Sequence, residues 1–349
     1  MRIAGKRFFF RHSDEDVRND FLALAKVEWE DTLFHESRQW ILRTPGIAPK
    51  KGPIFRTLFT GQLLSERFHW PHRVRTATIH HASGETVLRR WAEQPKLLSR
   101  TRERFSKRKS MGNDRETLDF RTVQMNSALL TLTHFRATVS KCLCDREEAE
   151  SVLDFSAGWG DRLTGFLASP SVRSITLVDP RHGSISACRK QFEFVKRITP
   201  GVSKTLRTHQ KGAEDVLRTL ASKSVDLIVT SPPYFDLELY GEEENDAKGQ
   251  IGKAVSSNQE YLKHFLLPVV DQCARLLRPG GLLALNVDDN PKAGVFLCKP
   301  LLSHVASHPS LSLESTWGLR KGRGFGKGVE QDGSGTRVEP VYMIRKAVS

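Results

Sequence analysis

The sequence predicts a doubly wound parallel α/β sheet in its second half, preceded by a basic N-terminal region. Three observations carry this. From residue 151 onward the chain repeats strand, turn and helix. Acidic or glycine-rich loops fall at the carboxyl ends of successive strands, where open α/β sheets hold ligands. The charge also divides unevenly: residues 1–140 hold 26 Lys/Arg against 15 Asp/Glu, and residues 141–349 hold 28 against 25.

The elements follow in order. "TVQMNSALLTLTHFRATVSKCLC" (122–144) has Met125, Leu129, Leu130, Leu132, Phe135 and Val139 at helical intervals and predicts a helix leading into the sheet. "SVLDFSAG" is a strand and its turn, and "DRLTGFLAS" the helix after it. "SITLVDP" is the second strand, followed by the helical "GSISACRKQFEFVKR". "KTLRTHQKGAEDVLRTL" supplies a short third strand and a helix, and "VDLIV" a buried fourth strand that stops on Pro232 and Pro233. "NQEYLKHFLLPVVDQCARLLRPGG" reads as a long helix closed by Pro-Gly-Gly, and "LLALNVDD" as the fifth strand. "LSLESTWGLRKG" and "RVEPVYMIRK" fit strands paired antiparallel at the sheet edge.

Composition excludes several classes. The 349 residues suffice for one large or two medium domains, and no run approaches the roughly 20 apolar residues of a membrane span. "MRIAGKRFFFRH" is basic but lacks the apolar core of a secretory signal. Asp14, Glu15 and Asp16 argue against a mitochondrial presequence. Cysteines 142, 144, 188, 273 and 298 form no CxxC pair and no zinc spacing, so reduced thiols in an intracellular compartment and no metal site are expected.

Each strand end offers candidates. "DFSAGWGD" (154–161) follows the first strand, and Gly158 and Gly160 let backbone pass close to a ligand, although a structural turn explains the pattern equally well. Asp179 closes the second strand, where a carboxylate can accept two ribose hydroxyls or simply complete a turn. "GAED" puts Glu214 or Asp215 after the third strand, either as an acceptor for an adenine amino group or as a helix N-terminal charge. In the N-terminal region, "KLLSRTRERFSKRK" (96–109) holds seven basic residues and one acidic. Such a run is a solvated face or a phosphate-tracking surface, and nearby Phe68, Trp70, Trp91 and Phe105 tilt the reading toward nucleic acid, because bases stack on rings.

With "TSPPY" at the end of the fourth strand, these loops resemble the amino-group methyltransferases of nucleic acids, the N4-cytosine/N6-adenine type that uses S-adenosylmethionine. The resemblance covers about residues 120–349, and its most specific element is Ser231-Pro232-Pro233-Tyr234. It implies a Rossmann-like methyltransferase sheet with an antiparallel terminal strand, a catalytic domain over 121–349 and target recognition by the basic region 1–120. Only 77 positions separate Asp154 from Ser231, too few for a further domain between them.

The resemblance implies S-adenosylmethionine as cofactor, held by Asp154, Phe155, Ser156, Ala157, Gly158, Gly160, Asp179, Glu214 and Asp215, with Arg136 as candidate for its carboxylate. Ser231, Pro232, Pro233 and Tyr234 would be catalytic. Phe235, Asp236, Glu238 and Tyr240 would line the base side, and Arg100, Arg102, Arg104, Lys107, Arg108 and Lys109 would meet phosphates. DNA is favoured over RNA as partner, and Ser at position 231 favours cytosine N4 over adenine N6. A catalytically silent nucleic-acid binding protein is the competing class.

The double proline has a physical reading. An exocyclic base amine is a poor nucleophile because its lone pair is delocalised into the ring. Acceptors for its N–H groups draw the nitrogen toward tetrahedral geometry. Ser231 Oγ and the Pro232 carbonyl are such acceptors, and two successive prolines preset their direction.

Overall fold

A computed structural model describes residues 2–3, 6–9, 12–34, 39–41, 50–51, 53–56, 58–73, 117–119, 135–201, 203–233, 255–290, 294–320 and 336–348. Tyr234, Phe235, Asp236, Glu238, Tyr240, the six basic residues from Arg100 to Lys109, and the 122–134 part of the expected helix lie outside them.

The ligand-bearing sheet is built from β1 (Ser151–Asp154), β2 (Ser174–Val178), β3 (Thr205–His209), β4 (Val225–Thr230), β5 (Leu277–Asn286), β6 (Leu311–Arg320) and β7 (Thr336–Lys346). Their spatial order is β3-β2-β1-β4-β5-β7-β6. Neighbours from β3 to β5 pair in parallel, and β7 pairs antiparallel with both β5 and β6. The doubly wound sheet with an antiparallel terminal strand is therefore the architecture observed.

Strand alternation divides the core in two. Val152, Leu227, Val229, Leu282, Ala284, Val341 and Met343 face one cluster. Their chain neighbours Leu153, Ile228, Leu283, Leu285, Tyr342 and Ile344 face the other. β6 and β7 pair antiparallel toward the sheet edge as predicted, and β7 lies between β5 and β6 with both faces covered, its odd and even residues both being apolar. Beyond β6 the sheet continues into short strands at Ile54–Phe55 and Leu33–Phe34.

Helices α1 (Asp14–Ala25), α2 (Gln62–Arg73), α3 (Ala137–Arg146), α4 (Asp161–Ala168) and α5 (His182–Ile198) supply the first cluster. Helix α5 shows why: Ile185, Cys188, Phe192 and Val195 recur at three- and four-residue steps and are buried. Helix α1 starts on a capping box in which Ser13 Oγ accepts from Asp16 N and the Asp16 carboxylate accepts from Ser13 N.

The other face is covered by α6 and by α7 (Cys298–Ser307). Helix α6 has three pieces, Asn258–Tyr261, a π-helical turn Leu262–Leu266, and Leu267–Leu276. It stops short of the predicted end: Leu277 already pairs with Val225, and the next pair is Leu227 with Leu282. The intervening Arg-Pro-Gly-Gly bulges out, which Pro279 and the left-handed Gly280 (φ 77°) allow. Among the described residues no helix is long and apolar enough to cross a membrane.

Candidate active site

The loop after β1 is fixed by a buried carboxylate. Asp154 Oδ2 accepts from Arg162 Nε at 2.7 Å, and Oδ1 accepts from Ser156 N at 3.1 Å and from Thr230 Oγ1 at 2.9 Å. Arg162 also donates to the Ser156 carbonyl, while Ala157 N bonds the Val178 carbonyl at 3.0 Å. Asp154 is wholly buried, and Phe155 and Ala157 nearly so. These three, read from sequence as cofactor contacts, build the loop from beneath. Ser156 and Gly158 are its partly exposed members.

The two glycines do different work. Both adopt left-handed backbone, with φ of 56° at Gly158 and 69° at Gly160. A Cβ at Gly158 would meet nothing nearer than 3.5 Å. At Gly160 it would lie 2.4 Å from Gln191 Oε1 and 2.6 Å from His69 Nε2. A side chain at Gly158 would make only ordinary contacts, whereas Gly160 lets α5 and α2 close on the loop. Trp159, between them, is buried under Arg181 at 4.5 Å and Arg73 at 5.7 Å from its ring centre, with the His69 ring edge-on at 6.3 Å.

Asp179 stands immediately after β2. Its Oδ2 accepts from Gly158 N at 2.8 Å and its Oδ1 from Arg181 N at 2.9 Å, and its own N–H donates to the His209 carbonyl at 3.1 Å. The ends of β1, β2 and β3 are thus tied through one residue. Arg181 Nε also stands 3.4 Å from Oδ1; of a carboxylate's roughly four acceptor directions, the second one on Oδ2 remains for a ligand hydroxyl. After β3, Gly212 precedes the one-turn helix Ala213–Val216. Asp215 is exposed, and Glu214 is half-buried with its carboxylate folded over Gly212, where a Cβ would come within 2.3 Å of Oε1. Burial pushes the Glu214 carboxyl above its ordinary range. Of the two acids the sequence left open, Glu214 is the one set into the surface.

Strand β4 pairs with β1 in the register Leu227 with Val152 and Ile228 with Leu153, so both chains leave the sheet at the same level. Buried Thr230 bonds Asp154, and Ser231-Pro232-Pro233 begins at the next residue. Ser231 and Pro233 are half-buried and Pro232 is buried. The Pro233 carbonyl accepts a hydrogen bond from the hydroxyl of Tyr261 in α6.

Arg136 lies at the N-terminus of α3, in a buried polar group and not on a helix surface. Its Nη1 donates to Gln62 Oε1 at 2.8 Å, and its guanidinium lies 4.3 Å from the Phe59 ring centre. Gln62 Nε2 and Ser65 Oγ in turn donate to Asp161 Oδ1, the first residue of α4, at 3.2 and 2.5 Å. Burial lowers the Arg136 pKa, opposed by the carboxylates of Asp161 and Glu66.

Sequence reasoning missed Thr230, Arg162, Arg181, Tyr261 and the α2 residues Gln62, Ser65 and His69. Thr230 stands at the edge of the TSPPY stretch and the others sit in no motif, and each acquires its role from a partner elsewhere in the chain. All five cysteines are free and buried, and burial pushes the Cys142 thiol up to about 12.

No protein-family model matches the chain. A type II methyltransferase, M.XycI of Xanthomonas campestris pv. cyanopsidis, is 36% identical over 102 residues, which is 29% of this chain and 32% of that protein. The chain therefore matches about a third of that relative's length. Among solved structures, TrmN from Thermus thermophilus aligns with TM-score 0.37 and 18% identity over 60% of this chain and 48% of its own. An rRNA methylase from Streptococcus thermophilus aligns with TM-score 0.41 and 10% identity over 63% of this chain and 100% of its own. At TM-scores below 0.5 these likenesses carry neither a site residue nor a substrate across.

Proposed function

We propose that the chain is an S-adenosylmethionine-dependent methyltransferase acting on an exocyclic base amine of nucleic acid, DNA in preference to RNA and cytosine N4 in preference to adenine N6. The reading rests on one juxtaposition: the Thr230–Asp154 hydrogen bond ties the first residue before the Ser-Pro-Pro rim to the base of the glycine loop.

The residues fit the cofactor. Gly158 is a partly exposed member of the loop with no side chain, Asp179 keeps an acceptor direction on Oδ2 for a ribose hydroxyl, and Glu214 offers a half-buried carboxylate for an adenine amino group. Arg136 has donors beyond the one bonded to Gln62 for the cofactor carboxylate. When bound, S-adenosylmethionine supplies a methyl group on an electrophilic sulfonium.

The protein's part is to shape the acceptor. Ser231 Oγ and the Pro232 carbonyl accept from the amine's N–H groups and favour the pyramidal nitrogen that attacks. Acceptors already in place require no reorganisation as charge develops. Tyr234 stacks on the base. A base in a duplex must first leave the stack, at a cost of roughly a few kcal/mol. Region 1–120, with its basic cluster at 96–109, is the target-recognition part and 121–349 the catalytic part of this reading.

The experiment is direct. The full chain is incubated with methyl-labelled S-adenosylmethionine and DNA or RNA, the polymer is digested, and the labelled nucleoside is identified by mass. N4-methylcytosine from DNA is expected. N6-methyladenine, or label in RNA, would move the target. No label in either polymer would leave the nucleic-acid binding protein as the better reading.

A further inference from the structure

Tyr261 is wholly buried, yet its hydroxyl reaches the one backbone oxygen of the proline rim whose direction the sequence leaves free. Consider the rim torsion by torsion. Pro232 holds Ser231 out of the helical region, the Pro232 ring fixes its own φ, Pro233 restricts ψ of Pro232, and the Pro233 ring fixes φ once more. From Ser231 ψ onward, the torsion without a covalent restraint is ψ of Pro233. That torsion sets where the Pro233 carbonyl points.

The hydrogen bond from Tyr261 fixes it. The phenol is anchored from its own side as well: its ring packs on Phe265 at 5.3 Å, and it stands at the entry to the π-helical turn Leu262–Leu266. Such turns interrupt helical phase, and they concentrate at functional sites. We infer that Tyr261 is a positioning residue for methyl transfer: by holding the Pro233 carbonyl it fixes the one torsion the two prolines leave free and ties the far end of the Ser-Pro-Pro rim to α6. The inference rests on the function proposed above, and it names a residue outside the Ser-Pro-Pro-Tyr motif on which that motif depends.

The test uses the full chain with Tyr261→Phe, which removes one oxygen and keeps the ring. Methyl transfer to nucleic acid is measured alongside hydrogen exchange at Ser231 and Tyr234, the amides flanking the two prolines. Phe265→Leu serves as a packing control, because it disturbs the same buried contact without touching the hydrogen bond.

For Tyr261→Phe, kcat is expected to fall about tenfold or more, with KM for nucleic acid and cofactor affinity within about twofold of wild type. Exchange at the two amides is expected to rise about tenfold while peptides over 151–160 are unchanged. Phe265→Leu should lower the unfolding midpoint without this pattern. Unchanged exchange at Ser231 and Tyr234 overturns the inference, and so does faster exchange throughout the chain or a kcat within twofold of wild type. If wild type methylates no nucleic acid, the proposed function fails by itself. The exchange comparison then still decides whether Tyr261 holds the rim.

Discussion

Both oxygens of Asp154 are taken by the protein itself, and this separates what a residue's position announces from what its partners make of it. A strand-ending Asp before a glycine loop is plain in the sequence. That it braces Arg162 and Thr230 is not, since those partners stand 8 and 76 positions along the chain. Gly160 shows the same gap. Its left-handed backbone could be guessed from residue type, but its need for a bare Cα arises from Gln191 and His69, brought in by α5 and α2. Gly160→Ala therefore combines an unfavourable φ with a steric clash. A loss of roughly 2–4 kcal/mol in stability is expected by urea unfolding. A loss below about 1 kcal/mol would mean that α2 shifts aside freely.

Helix α2 is the element the sequence hid best. Its buried face mixes Leu64 and Trp70 with Gln62, Ser65, Glu66, His69 and Arg73, so no apolar stripe marks it, and Pro71 lies inside its last turn. Only the partners in α4 and α5 explain a polar face turned inward. His69 carries the consequence. Burial pushes its pKa from the ordinary 6.5 down to about 3, the Asp161 carboxylate opposing and Arg181, His72 and Arg73 reinforcing.

A histidine with a depressed folded pKa binds its proton in the unfolded chain first. Its contribution is fully present above pH 6.5 and is lost as pH falls from 6.5 toward about 3. The slope from this one group is about 1.4 kcal/mol per pH unit. His69→Gln should flatten the stability curve between about pH 6.5 and 4.5 by that slope relative to wild type. Parallel curves would show that His69 already takes up a proton in the folded state.

At the scale of the whole molecule, the second half was legible because its central strands are short continuous apolar runs, as a sheet buried on both faces requires, and turn signals separate them from the helices. The placement of β7 was not, because pairing partners are chosen by burial of both faces rather than by chain order. The N-terminal region was legible only as charge. Its described helices, through Val17, Phe21, Leu24 and Leu64, and its short strand, through Phe55, enter the same core as the sheet. Deletion of residues 1–120 is therefore expected to give aggregated protein rather than a folded catalytic fragment, read by size-exclusion chromatography and circular dichroism. A monomeric folded fragment would contradict the shared core.

Replacing Arg100, Arg102 and Arg104 with Ala in the full chain should weaken nucleic-acid binding and reduce the slope of log K against log salt by roughly one for each phosphate no longer neutralised. An unchanged slope would place phosphate recognition elsewhere. The most direct test of the central claim is single-turnover methyl transfer to DNA by wild type and Ser231→Ala at saturating S-adenosylmethionine. Transfer to a base amine by wild type and a fall of about 10²–10³-fold in the variant, with cofactor affinity held, is the expected result. Equal rates for the two proteins would contradict it.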